Sequence, residues 1–208
     1  MKDVIKMIKK KGYTIVELMI VIAIIGLIFS VAPVILKDYI ENEQLEKALT
    51  KIKYDIRYIQ NLRLDKTENY TIAFRRSLTQ GVSVVGITDT QFDYVCYNDL
   101  NNNGLIEYDE VIEDPFSKKK MMYSFSNDSK YNEKVYRNIK FNSIIFHYSG
   151  GSNNKIRFNQ IGGIQVFNGF NYNNEMDKES IIEATLYTNG NIKKELVIYP
   201  ITAEMIIR

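Results

Sequence analysis

Asp99-Leu100-Asn101-Asn102-Asn103-Gly104-Leu105-Ile106-Glu107-Tyr108-Asp109-Glu110 is the stretch whose residue types and spacing best suit chemistry. It fits D-x-[DN]-x-[DN]-G-x5-E at every defined position, the pattern of a calcium-binding loop. Oxygens from Asp99, Asn101 and Asn103 would turn inward from alternate positions, and Gly104 permits the sharp turn. Leu105 would offer its carbonyl, Glu107 would bind through water, and Glu110 would close the site bidentately. Ile106 stands where such loops tuck an apolar residue into the core. The simpler alternative is an Asn-rich turn, since Asn and Gly favour turns without a metal. Its flanks have strand character, so the loop is not a full EF-hand. Only Asp99, Glu107 and Glu110 bring charge, which suits weak binding, on the order of 10⁻⁴–10⁻³ M, as in extracellular modules.

A second position is Glu17, a carboxylate at the head of an uncharged run from Leu18 to Leu36. As a helix that run is roughly 28 Å long, enough to cross a hydrocarbon core. Lys2, Lys6, Lys9, Lys10 and Lys11 precede it and favour a cytoplasmic N-terminus. A carboxylate inside such a run is costly, so it needs a reason. Three ordinary readings compete. Ser30-Val31-Ala32 resembles a signal-peptidase site, but Pro33 directly after it disfavours cutting and Glu17 spoils the hydrophobic region. A plain membrane anchor explains the length and the lysines but not Glu17. Thr14-Ile15-Val16-Glu17 is also a T-x-x-E capping box, in which Thr14 and Glu17 satisfy amides of the first turn.

Other chemistry is sparse. His147 and Cys96 are the single histidine and cysteine. A Cys–His pair is conceivable, but lone residues on strand patterns belong more often to packing or surface, and no enzyme is expected. No phosphate-binding Gly-rich loop and no Cys/His cluster is present, and one cysteine allows no disulfide within the chain. Lys118-Lys119-Lys120 suits a solvated turn; as an anion or DNA contact it would be weak and salt-sensitive. The net charge of +2 belongs to the first twelve residues, and without them the chain carries about −2. That argues against a strongly basic nucleic-acid binder.

These residues need elements to hold them. Past Leu36, Leu45, Leu49, Ile52, Ile56 and Ile59 recur at 4-3-4-3 spacing, one apolar stripe on a polar helix. It is too short for a sustained coiled coil, so it predicts packing against a globular head. From Tyr70 the period becomes two: Tyr70, Ile72 and Phe74, then Val82 and Val84, then Phe92, Tyr94 and Cys96. Short apolar pieces follow at Ile106–Ile112 and Met121–Phe125. Three glycine turns predict hairpins. Gly150-Gly151 separates Ile139–Tyr148 from Lys155–Asn159, Gly162-Gly163 separates Ile156–Ile161 from Ile164–Phe167, and Asn189-Gly190 separates Ile181–Tyr187 from Ile192–Tyr199. Asn171-Tyr172-Asn173-Asn174 reads as an exposed loop.

The N-terminal segment K-K-K-G-Y-T-I-V-E-L-M-I-V-I-A-I-I-G resembles the signature of type IV pilins and of type II secretion pseudopilins. The resemblance covers about 25 residues: basic leader, Gly, aromatic, Thr, Glu at the fifth position after the Gly, then the apolar run. It implies cleavage between Gly12 and Tyr13 by a prepilin peptidase, with N-methylation of the new first residue. Tyr13 departs from the usual Phe. It also implies that Glu17 guides assembly, and that the partners are other pilin or pseudopilin subunits, the peptidase, an inner-membrane assembly platform and membrane lipid.

More weakly, the head is similar to the GspH/FimT-type minor pilins, which implies two β-sheets packed on a helical spine. The expected fold is therefore α+β and pilin-like. It comprises a leader over 1–12, a spine helix over 13–65 that is transmembrane over about 15–36, and a mostly antiparallel β head over 66–208. The expected location is the inner membrane, single-pass with the head outside, and then a periplasmic or extracellular filament. A DNA-uptake minor pilin, a major pilin and a membrane-tethered periplasmic β-domain are the alternatives, DNA being the weaker partner.

Overall fold

The computed structural model describes residues 13–66, 68–77, 80–87, 91–101, 103–125, 139–142, 144–169, 171–186, 190, 192–200 and 202–208, excepting the side chains of 31–35. The leader over 1–12, the Asn189 turn position and Asn102 of the loop lie outside the described residues. Among the described residues one helix, α1, spans Ile15–Asp65, and twelve strands follow: β1 Tyr70–Phe74, β2 Tyr94–Asn98, β3 Met122–Tyr123, β4 Ile139–Phe141, β5 Phe146–Tyr148, β6 Gly151–Asn153, β7 Lys155–Phe158, β8 Ile164–Val166, β9 Asn174–Glu175, β10 Ser180–Leu186, β11 Lys193–Ile198 and β12 Met205–Ile207. Met1–Ile40 and Glu41–Arg208 are two separate compact units.

In the first unit the described apolar side chains of α1, from Ile15 to Phe29, are exposed. No helix among the described residues is long and apolar enough to cross a membrane. The side chains of 31–35 fall within the uncharged run, so the transmembrane expectation over 15–36 rests on the sequence.

The second unit is α+β with antiparallel ladders. One sheet has six strands in the order β3-β2-β1-β7-β8-β9, another has four in the order β12-β11-β10-β4, and β5 and β6 form a two-stranded ribbon. The described head therefore has three sheets where two were expected. The difference arises at Ile139–Tyr148, expected as one strand paired with Lys155–Asn159. It breaks into β4, which pairs with β10, and β5, which pairs with β6. β7 is then taken by β1 and β8. Asn154 lies at the crossing point, its backbone carbonyl accepting from Phe74 N at 2.8 Å while its side-chain amide donates to the Phe74 carbonyl.

The apolar stripe of α1 does what its spacing predicts. Leu45, Leu49, Ile52, Ile56 and Ile59 are fully buried, in one core with Ile72, Phe74, Tyr94 and Cys96 from the six-stranded sheet and Ile182, Leu196 and Ile198 from the four-stranded one. Every residue of β1 and β2 is buried, on both faces of the sheet. A second core covers the other face, where Ala73, Val95 and Tyr97 meet Val82, Val84, Phe92, Ile106 and Val111. Val82, Val84 and the Ile106–Ile112 piece form no strand; they touch the sheet through single bridges such as Val82 with Phe92 and Tyr97 with Val111. Alternation there reflects burial against a loop layer.

Charge is buried inside this packing. The Lys51 ammonium, on the same helix, donates to Asp55 at 2.7 Å, to Asp114 at 3.2 Å and to the Tyr123 hydroxyl at 3.0 Å. The Tyr94 hydroxyl donates to the other Asp55 oxygen at 2.6 Å. Burial works against the Lys51 charge, but the Asp55 carboxylate and the hydrogen bonds to Asp55 and Tyr123 outweigh it and hold its pKa above the ordinary lysine value. Burial likewise opposes the Asp114 charge; amide donors from Ser117 and Phe116, with Lys51, outweigh it and hold its pKa below the ordinary aspartate value. Asp93 is tied to Arg75 in a second buried pair and accepts from Phe125 N at 2.7 Å.

Removing one partner of such a cluster strands the others without water. Asp55→Ala should lower the unfolding free energy by about 3–5 kcal/mol in chemical denaturation. A depressed carboxylate pKa stabilises above its unfolded value of about 3.9, and that contribution disappears as pH falls through the folded pKa. Asp114→Asn should therefore show a shallower loss of stability in acid than wild type, measured by denaturation midpoints from neutral pH downward.

Candidate functional site

The first site lies at the start of α1. Thr14 and Glu17 close the expected capping box: Thr14 N and Thr14 Oγ1 donate to Glu17 Oε2 at 2.8 and 2.9 Å, and Glu17 N donates to Thr14 Oγ1 at 3.2 Å. Leu18 N completes the turn to the Thr14 carbonyl at 3.1 Å. The side chain of Tyr13 is 89% exposed, and Gly12, the other expected processing residue, lies outside the described residues. Both bonds that Thr14 donates end on one carboxylate oxygen, Oε2.

The second site is the loop Asp99–Glu110, between β2 and the Val111 bridge. Its side chains fold inward on its own backbone. Asp99 Oδ2 accepts from Gly104 N at 3.2 Å, Asn101 Oδ1 from Asn103 N at 2.9 Å, and Asn103 Oδ1 from Leu105 N at 2.7 Å. Asn103 Nδ2 donates to Glu107 Oε1 at 3.0 Å. Glu110, 5% exposed, accepts from Leu100 N through Oε1 and from Glu107 N through Oε2. Gly104 has φ +72°, the left-handed conformation the motif requires, and Ile106 is buried in the second core. Five of the six expected side-chain and carbonyl positions are thus drawn together by this network; Leu105 enters it through its amide.

Asp99 Oδ1 is buried without a hydrogen-bond partner. An orphaned carboxylate oxygen inside a polar loop is costly unless a cation or water meets it, and a hard cation with oxygen ligands suits the donor set. Among the described residues no three His, Cys, Asp or Glu side chains gather as a metal cage, so amide and carbonyl oxygens would carry much of the coordination. Lys155 tempers the site. Its ammonium donates to the Gly104 carbonyl at 3.0 Å; burial pushes its pKa down, and the charge of Asp99 works the other way.

Beside the loop is a polar cavity of about 250 Å³ bounded by Asp99, Asn103, Arg157, Phe167, Asn171 and Tyr172 among others. The guanidinium of Arg157 lies 4.6 Å from the Tyr172 ring, and Phe167 and Tyr172 rings are 5.0 Å apart. Sequence reading missed this constellation. Its members are scattered over roughly a hundred positions, and Tyr172, expected in an exposed loop, is buried.

The remaining sequence candidates are placed apart. Cys96 is fully buried in β2, its thiol pKa pushed well up by burial, whereas His147 is exposed on the two-stranded ribbon. Lys118 has φ +58° in the turn after Asp114, and Lys120 donates to the Val111 carbonyl at 2.8 Å with Glu113 nearby. The lysine run is therefore not a free basic patch of three.

Residues 7–33 match the family described as the prokaryotic N-terminal methylation motif. The match covers the N-terminal segment only, and a motif of this kind is what the pilin resemblance implies there. No curated protein and no solved structure matches the chain.

At Gly104 a side chain would meet open space, so only backbone strain opposes substitution. Gly104→Ala should cost about 1–2 kcal/mol of stability, and Gly104→Asn less, since Asn tolerates the left-handed region. Equal thermal melting of all three proteins would contradict this.

Proposed function

We propose that this chain is the precursor of a structural filament subunit, a minor pilin or pseudopilin of the GspH/FimT type, serving a type IV pilus or a type II secretion pseudopilus. One observation carries the reading. The methylation motif over 7–33 leads into a single helix whose distal part, Leu45–Ile59, is built into a β-rich head. A basic leader, an apolar helix and a folded head in that order suit insertion in the inner membrane with the head outside, followed by side-by-side packing of helices. The partners would be other pilin or pseudopilin subunits, a prepilin peptidase and an assembly platform.

Processing would cut between Gly12 and Tyr13 and create an ammonium on Tyr13, largely charged at neutral pH. In lipid that charge needs a counter-charge, and so does Glu17. Glu17 is exposed and carries two carboxylate oxygens, so one can serve this role while Oε2 keeps its bonds to Thr14. Mass spectrometry of the mature protein should find N-methylated Tyr13 first; a mature chain starting at Pro33, or still carrying Met1, would refute the reading. Glu17→Gln should insert and be cleaved but be largely lost from sheared surface filaments. Normal incorporation would reduce Glu17 to a helix cap. Exclusive retention of wild type in the membrane would favour a tethered periplasmic domain, and head-dependent DNA gel shifts at physiological salt would favour an uptake pilin.

In the same reading the loop Asp99–Glu110 holds calcium outside the cell, supported by the orphaned Asp99 Oδ1. Asp99, Asn101, Asn103, the Leu105 carbonyl, Glu107 and Glu110 would supply the oxygens. With calcium at about 5 mM against EDTA, the melting temperature should rise by about 2–8 °C. Asp99→Ala/Glu110→Gln should abolish the rise, and Lys155→Met, removing a cation beside Asp99, should enlarge it. Identical melting of wild type in both buffers would leave the loop a turn.

A further inference from the structure

The cavity beside the loop has the composition of a site for a small, hydroxyl-rich, uncharged ligand, and we propose that it binds one sugar ring. This inference goes beyond the subunit reading and does not depend on it. The walls come from separated parts of the head: Asp99 and Asn103 from the loop, Arg157 from β7, and Phe167, Asn171 and Tyr172 from the segment joining β8 to β9. At about 250 Å³ the cavity is smaller than the roughly 300–1,000 Å³ that accommodates drug-sized molecules. That admits a single ring and excludes a folded peptide.

The chemistry of the walls selects among small ligands. Two aromatic rings in contact, Phe167 and Tyr172, offer an apolar surface for the C–H face of a pyranose. The Asn171 carboxamide both donates and accepts, as hydroxyl groups require; its Oδ1 already accepts from Asn173 N at 3.2 Å and keeps a second lone pair. Asp99 accepts only, which suits sugar hydroxyl donors and repels a phosphate or carboxylate ligand. Arg157 does not make the site an anion trap. Its Nε donates to Gln165 at 3.2 Å, its Nη1 to Asn69 at 3.2 Å, and its face lies over Tyr172. It therefore holds the aromatic wall in place. Lys155, whose pKa burial pushes down and the charge of Asp99 pushes up, makes the surroundings less favourable to a cationic organic ligand.

The test uses the full-length protein in a detergent without a sugar headgroup. Saturation-transfer NMR is run with glucose, galactose, mannose, N-acetylglucosamine and thymidine, each at about 10 mM, above the millimolar affinity that so few heavy atoms can supply. Calcium and EDTA buffers are both used. We expect transfer to the ring protons of at least one sugar in either buffer, and at least tenfold weaker binding in Asn171→Ala and Phe167→Ala. The melting temperatures of these variants should remain close to wild type, since Asn171 is exposed and Phe167 half-buried. Rescue of binding by Phe167→Tyr, which keeps the ring, would support the stacking role. No transfer from any sugar in both buffers, equal transfer in the wall variants, or transfer from thymidine alone would overturn the proposal.

Discussion

A carboxylate with almost no access to water, Asp55, sits on the helix in the middle of the apolar stripe. Such a group is tolerable only if every lone pair is met. Lys51 supplies the charge one turn away, and Tyr94 supplies a hydroxyl from the central sheet. Lys51 then reaches Asp114 and Tyr123, so one part-buried cation ties the helix, the six-stranded sheet and the turn after Val111 together. Apolar packing alone would allow the helix to slide or rotate on the sheet, because dispersion and hydrophobic contact are only weakly directional. The charged cluster allows one register. The positions of β2, β3 and the Asp114 turn follow from it.

That register also fixes where the loop chemistry can occur. β2 is buried on both faces, and the chain leaving it at Asn98 must turn over the second core. Ile106 and Val111 anchor the return, and Val85 N donates to the Ile106 carbonyl from the neighbouring layer. Asp99–Glu110 is thus a loop with both ends pinned and with Asp99, Asn101, Asn103 and Glu110 bonded to its own backbone amides. The sheet brings β7 past the same point, placing Lys155 against Gly104 and Arg157 across the cavity from Asn103. The charge balance of the loop is therefore set partly by a strand some fifty positions later in the sequence.

The N-terminal segment follows a different logic. Its chemistry is local: four consecutive residues, Thr14 to Glu17, bond one another within the first turn, and the leader and apolar run are contiguous with them. Nothing distant in the chain is needed to recognise it. The head has no comparable local signature apart from the Asp99–Glu110 pattern.

The sequence by itself determined what depends on short spacing: the capping box, the apolar stripe of the helix, the left-handed glycine at Gly104, the buried Ile106, and the antiparallel pairings β7 with β8 and β10 with β11. These rest on backbone geometry and side-chain period, which act within a few residues. Tertiary structure alone decided what depends on which surfaces meet. Ile139–Tyr148 split between two sheets because β7 found better partners in β1 and β8. Val82 and Val84 became a covering layer, since a buried face looks the same in sequence whether a strand or a loop supplies it. Tyr172 turned inward to meet Arg157 and Phe167, and Lys51 found Asp114 sixty-three positions away. Such contacts have no spacing to betray them, because the free energy that selects them is the burial of the whole core.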